Sequence, residues 1–237
     1  MKTIWTLFLI LFSAFLINCG SVSINNSKNI SFGATNDSVN LYAFIGEKIS
    51  IEKFDPNINN EVRKKVIDEE TGDSINVVHT NFIMDNAFRC KYKIIKTIFN
   101  QLPVGTIEFL AYDHYGKPEF SENDTVILYL SKNKSDNHYF HQKYQYDDVF
   151  RDKEGNYYSY PKFRNKEDMN YAKQNIKGVK INFKKEKFNV KNLNKDLIKI
   201  YYPRRFYKIK NGFAIPIRGF YLDELINYRL QTSFKDL

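Results

Sequence analysis

An apolar run opens the chain. Ile4 through Ile17 is interrupted only by Thr6 and Ser13, and the run follows a single cation, Lys2. A permanent membrane-spanning helix needs about 20 apolar residues. A shorter run behind one lysine reads as a signal peptide, here residues 1–18. The texture then turns polar, with Ser21, Ser23, Asn25, Asn26 and Ser27, and residues 19–40 read as a flexible tether. From Leu41 the pattern changes to period two. Ile49, Ile51 and Lys53 alternate with Ser50 and Glu52, which predicts a strand that Asp55-Pro56-Asn57 ends. Residues 57–79 are charged and irregular around Glu70-Thr71-Gly72-Asp73 and read as an inserted loop or hairpin.

The next segments are rich in β-formers. Phe88, Cys90, Tyr92 and Ile94 alternate with Arg89, Lys91 and Lys93, the mark of a half-buried strand. Thr106 to Tyr115 predicts another, ended by Gly116-Lys117-Pro118. Thr125 to Leu130 is continuously apolar, as a strand buried on both faces would be. Tyr139 to Tyr146 is a further candidate. Five strands with turn-rich joins predict a small antiparallel barrel or sandwich over 41–146.

Residues 147–237 read as a C-terminal α+β extension. Lys153-Glu154-Gly155-Asn156 predicts a hairpin turn, and Val179 to Phe183 alternates. Leu193, Leu197, Ile198 and Tyr201 recur at helical spacing before Pro203. Phe206 to Ile217 predicts a hairpin around Asn211-Gly212. Leu222, Leu225, Ile226 and Arg229 suggest a final short helix. The fold class expected is mainly β, α+β overall.

Residues 41–131 carry a family likeness. The matching features are Phe44-Ile45-Gly46-Glu47-Lys48-Ile49, the long strand Tyr92 to Ile98, the following Thr106-Ile107-Glu108-Phe109, and Val126 to Leu130 after a polar turn. These resemble the NTR-like OB-fold domains related to tissue inhibitors of metalloproteinases. The resemblance implies an OB-like barrel. It covers under half the chain and includes no invariant motif. The family's disulfides are absent, and the free N-terminal cysteine that its inhibitors use for metal chelation has no counterpart if Cys19 is acylated. Protease inhibition is therefore not carried over. The whole chain is similar to small lipoproteins of Gram-negative bacteria.

Cys19 carries the candidate address. Leu16 at −3 and Gly20 after the cysteine match a lipobox, whereas Asn18 at −1 departs from the usual small residue. Lipidation of Cys19 with diacylglycerol and palmitate would leave two or three acyl chains. Each buried methylene contributes about 0.8 kcal/mol, so such an anchor would be permanent. The alternative is cleavage by the ordinary signal peptidase. No acidic cluster follows Cys19, which points to an outer membrane location facing the periplasm.

Composition adds a charge of +9 and an aromatic content of 16%. The aromatics exclude a disordered chain. In the cell envelope a basic surface meets anionic headgroups or lipopolysaccharide rather than nucleic acid, or it is a solvated face. The densest basic stretch comprises Lys184, Lys185 and Lys187 with Arg204, Arg205, Lys208 and Lys210. Cys90, alone once Cys19 is modified, reads as a small core hydrophobe.

Candidate chemistry is sparse. His138 and His141 form the one close histidine pair, a possible metal site if helical, with Asp147-Asp148 near in sequence. In a strand their rings would face opposite sides. There is no phosphate loop, nucleophile elbow or zinc-protease signature. Asp-Ser-Val, Asp-Ser-Ile and Asp-Thr-Val place Ser38, Ser74 and Thr125 in an O-glycosylation-like pattern, which coincidence in an Asp- and Ser-rich chain would also produce. The expectation is a membrane-anchored, non-catalytic binding module without cofactor. Arg204, Arg205, Tyr157 and Tyr158 would contact an envelope protein or glycan. The alternative is a metal-dependent envelope enzyme using the His138/His141 region.

Overall fold

The computed structural model describes residues 35–58, 61–80, 82–183 and 185–237. The signal-peptide segment, Cys19 and most of the tether lie outside the described residues. The tether's last residues are tied down. The Asn100 amide accepts from the Asn36 N–H at 2.7 Å and donates to the carbonyls of Asn36, Val39 and Leu41 at 3.2, 3.0 and 2.8 Å.

Five long strands build the first part of the molecule. β1 (Tyr42–Phe54) is followed by a protruding hairpin, β2 (Glu61–Ile67) and β3 (Ser74–Thr80). The Asp68 carboxylate forms the hairpin turn by accepting from the N–H groups of Glu70 and Thr71 at 2.9 and 3.0 Å. Then come β4 (Asn86–Phe99), β5 (Thr106–Asp113), a 3-10 turn at Glu119–Glu122, β6 (Thr125–Lys132) and β7 (Tyr139–Asp148). Pairing runs β1-β4-β5-β7-β6 and returns from β6 to β1, a closed ring. β1 pairs through both edges over residues 43–47, and its pairing with β4 shifts register at three places, which bends the strand.

An all-antiparallel barrel is corrected at one contact, since β5 meets β7 in parallel at Leu110 and Phe140. The reason is parity. Strand directions cannot alternate all the way round a ring of five, so at least one neighbouring pair must run the same way.

The interior of the ring is filled by Phe44, Cys90, Tyr92, Phe109, Phe120 and Leu128, all at most 2% exposed. The continuous apolar run of β6 follows the expectation of burial on both faces. Val126, Leu128 and Leu130 point inward, while Ile127 and Tyr129 join a second core outside the ring.

That second core is completed by the rest of the chain. It contains β8 (Phe150–Arg151), β9 (Tyr157–Ser159), α1 (Lys166–Asn175), β10 (Val179–Lys180), β11 (Phe188–Asn189), α2 (Lys195–Tyr201), β12 (Tyr207–Lys210), β13 (Phe213–Pro216), β14 (Arg218–Tyr221) and α3 (Leu222–Gln231). The short strands form two small sheets, β10-β14-β9-β8 and β11-β13-β12. Leu41, Ala43, Ile45, Ile127 and Tyr129 of the ring pack in one cluster with Phe206, Phe220, Leu225 and Tyr228. A mainly β, α+β molecule results.

One ion pair sits inside this junction. Asp147 at the end of β7 and Arg229 on α3 are 0% and 2% exposed. Arg229 donates through Nε to Asp147 Oδ2 at 2.9 Å and through Nη2 to Oδ1 at 2.5 Å. The Tyr129 hydroxyl donates to Oδ2 at 2.7 Å, and Arg229 Nη1 donates to Ser233 Oγ at 3.0 Å. Removing one partner of such a pair leaves a buried charge unmatched and costs about 3–5 kcal/mol, whereas an apolar replacement of the whole set is often near neutral. Asp147→Ala is therefore expected to lower the urea midpoint strongly. The triple variant Asp147→Leu/Arg229→Met/Tyr129→Phe is expected to regain most of that loss. A triple variant no more stable than the single one would contradict the account.

Candidate functional site

α1 and α2 lie side by side and frame an open concavity. The Asn165 side chain caps α1 by accepting from the Asp168 N–H at 2.8 Å, and Asp168 in turn takes Arg164 Nε at 3.1 Å. Asn194 caps α2 by accepting from the N–H groups of Asp196 and Leu197 at 3.1 and 2.8 Å. Pro203 follows α2. Next in the chain, Arg205 reaches back to α1 and donates to the carbonyls of Lys173 and, at 2.8 Å, Ile176. That contact ties the turn after α2 to the end of α1 and fixes the two helices relative to each other. Below them, the buried Tyr207 donates its hydroxyl to the Pro161 carbonyl. Its ring packs edge-on to Tyr202 at 5.2 Å.

The resulting groove measures about 1220 Å³. Its lining combines aliphatic side chains, Met169, Ile198 and Ile200 with the more exposed Ile209 and Ile217, with the neutral polar Asn170 and Tyr202, and its rim carries Lys166, Lys173, Lys195, Lys199, Arg204 and Lys208. One carboxylate, Asp196, lines it, and Lys199 occupies that group at 2.9 Å. Among the described residues, no carboxylate lies within 4.0 Å of the other five cations. Lys166 and Lys195 are the first residues of α1 and α2. The positive end of a helix dipole disfavours a cation there, so these two lysines cost local stability. Breaks in local preference of this kind cluster at functional sites.

The residues proposed from sequence do not share one surface. Arg204 is on the groove rim, whereas the guanidinium of Arg205, itself an exposed residue, donates to carbonyls at the end of α1. Tyr158 is 7% exposed and packs with Tyr160 and Phe183 in a third small core. Tyr157 is half-buried beneath Lys96 and Arg151, which lie 5.9 and 5.4 Å from its ring centre. Ser38, Ser74 and Thr125 are all exposed. Cys19 lies outside the described residues.

The histidines are also apart. His138 is exposed, with Nδ1 at 3.3 Å from Asp136. His141 packs against Phe120 at 4.5 Å, and its Nε2 lies 2.8 Å from the Gln145 carbonyl. Among the described residues no three His, Cys, Asp or Glu side chains come together to hold a metal ion. Asp147 is taken by Arg229. Asp148 is bound by Tyr160, by Lys162 at 2.9 Å and by Asn123 at 3.1 Å. Burial opposes the Asp148 charge, but Lys162 and the Tyr160 hydroxyl outweigh it and hold its pKa below the usual carboxylate range. The Cys90 thiol is pushed up to about 12 by burial, which makes it inert at neutral pH.

Lys195 lies in the segment that Leu193, Leu197, Ile198 and Tyr201 mark as helical, with nothing to show what it faces; Lys166 and Lys173 escape a sequence reading because such spacing is lacking in α1. Its polar sequence buries only Asp168, Met169 and Ala172. The available signal was Asn165 with an acid three residues on, the start of a helix. Compared with known protein families, with curated proteins and with solved structures, the chain matches none.

Burial pushes the His141 imidazole down to about 4, against a smaller upward pull from its bond to the Gln145 carbonyl. The unfolded histidine, near 6.5, takes up a proton first as pH falls. Stability from this site is therefore complete above pH 6.5 and declines as pH drops to 4, by up to about 3 kcal/mol. Urea unfolding at a series of pH values is expected to show this decline in the native protein and a flatter profile in His141→Gln. Equal slopes in the two proteins would contradict it.

Proposed function

We propose that the chain is a lipid-anchored protein of the bacterial cell envelope, held at the outer membrane through Cys19 and facing the periplasm. In this reading it acts as a non-catalytic binding module. The observation that carries the reading is the groove, where five cations without a carboxylate partner among the described residues surround a set of aliphatic side chains. Such a surface offers a ligand both charge and buried apolar area.

The ring is read as an OB-like barrel. With the β2–β3 hairpin set aside, its strands run first, second, third, fifth, fourth and back to the first. A five-stranded Greek-key barrel is the OB description. The basic groove lies outside that barrel, on the C-terminal extension, so this module would use its added elements rather than the barrel face. Exposure of Ser38, Ser74 and Thr125 is compatible with their being O-glycosylated.

Two measurements test these statements. Cells fed a palmitate analogue are expected to label the native protein and not Cys19→Ala, and retained label in the variant would refute the anchor. For the groove, the triple variant Lys166→Glu/Lys195→Glu/Lys208→Glu is suited, because acids are favoured at the first positions of α1 and α2. Native protein is expected to bind envelope extract in a salt-sensitive manner, and the variant is expected to lose that binding. Equal retention of both proteins would remove the groove from the function.

A further inference from the structure

The groove's chemistry restricts what it can hold, and this step rests on the binding-module reading above. The rim asks for negative charge. Among the described residues, five cations lack a carboxylate partner, and the one acid on the lining is already paired. The aliphatic side chains ask for something with few polar groups. Met169, Ile198, Ile200, Ile209 and Ile217 offer no side-chain donor or acceptor, and the deeply buried Tyr207 hydroxyl is committed to Pro161. Asn170 and Tyr202 are the neutral polar side chains that remain, so a sugar laid across the aliphatic side chains would lose water from more hydroxyls than these two could serve.

An extended peptide is also poorly served. β12 is the edge strand nearest the groove, so a peptide could in principle add to it. The β12–β13 hairpin turns through Asn211 and Gly212, both at positive φ, which makes Lys210 and Phe213 a hydrogen-bonded pair. Lys208 and Ile215 are then the next such pair, and the backbone groups facing outward belong to Tyr207 and Ile209. The Tyr207 N–H is already spent on the Pro203 carbonyl at 3.0 Å. Ile209 alone remains, too little for strand addition.

We propose that the groove holds an anionic phospholipid, with an acyl chain along the aliphatic side chains and the phosphate among the rim cations. Charge complementarity supplies orientation, and burial of methylenes supplies most of the affinity. A concavity of about 1220 Å³ is above the range usual for drug-sized ligands and leaves room for a long acyl chain.

The test titrates the purified full chain with lysophosphatidylglycerol bearing a fluorescent acyl chain, kept below its micelle concentration. Saturable binding is expected, weakened by added salt. Lysophosphatidylcholine, with the same chain and no net charge, is expected to bind roughly tenfold more weakly or worse. Glycerol phosphate, the head without a chain, is expected not to compete. The triple lysine variant should lose roughly tenfold or more, and Ile198→Asn should weaken binding without changing its salt dependence. Circular dichroism and thermal melting check that both variants are folded, and the salt titration of native protein stands without any variant. Equal binding of the choline lipid, competition by glycerol phosphate alone, or no binding of the glycerol lipid would overturn the proposal. Displacement of bound lipid by an acidic amphipathic helix at lower concentration would reassign the groove to a protein partner. If the glycerol lipid fails to bind while the triple variant still loses envelope binding, the lipid assignment falls and the binding module stands. If the variant loses neither, both fall.

Discussion

The Asp147–Arg229 pair joins the two halves of the molecule and gives the rest its geometry. Asp147 ends β7, the last strand of the ring, and Arg229 sits on α3, the last helix. Neither charge is tolerable in a dry interior by itself. Together with the Tyr129 hydroxyl and Ser233 they satisfy most of each other's hydrogen-bonding capacity. A buried pair of this kind contributes little net stability, but it has one low-energy arrangement. Apolar packing of Leu225, Tyr228 and Phe220 in one cluster with Ile127 and Ile45 supplies the attraction, and the ion pair adds a directional contact within it.

The groove inherits its form from this docking. Tyr228 stands next to Arg229 and donates to the Lys162 carbonyl at 2.8 Å, which holds the segment leading into α1. Phe163, in that segment, packs against Phe206 and Tyr228. Arg205 then binds the far end of α1. The helix that carries Lys166 and Lys173 is thus held at both ends by residues whose positions depend on α3. The backbone that carries the rim cations is therefore set before a ligand arrives, and the ordering left to binding is that of the lysine side chains.

Much of the β part was legible because period-two alternation survives wherever one sheet face is wet. Phe88, Cys90, Tyr92 and Ile94 against Arg89, Lys91 and Lys93 identified β4 without ambiguity. The run Val126 to Leu130 could be read as doubly buried, but nothing in it shows that its outer side meets α3 rather than another sheet. The closing parallel contact was hidden for a different reason, because strand direction within a ring is a property of all five strands together. The groove was hardest to see. Arg204 and Lys208 stand near each other in sequence, but their companions Lys166, Lys173 and Lys195 come from helices that face each other only after folding. Arg205, identical in type to Arg204 and adjacent to it, turned out to serve α1, since alternate directions of neighbouring side chains cannot be read from composition.

Asn100 has a mechanical consequence. Its side chain grips residues 36–41 by four hydrogen bonds at the point where the N-terminal segment enters the ring. The next strand, β1, is paired along both of its edges, with β4 and with β6. Tension between the N-terminal side of the chain and anything seated between α1 and α2 has a defined load path. It runs through the Asn100 clamp, into a strand held on both flanks, across the ring to β7, and through the Asp147–Arg229 pair into α3. Strands held on both sides resist by loading many hydrogen bonds at once, so a pull is shared by the ring as a whole instead of unzipping it from one end.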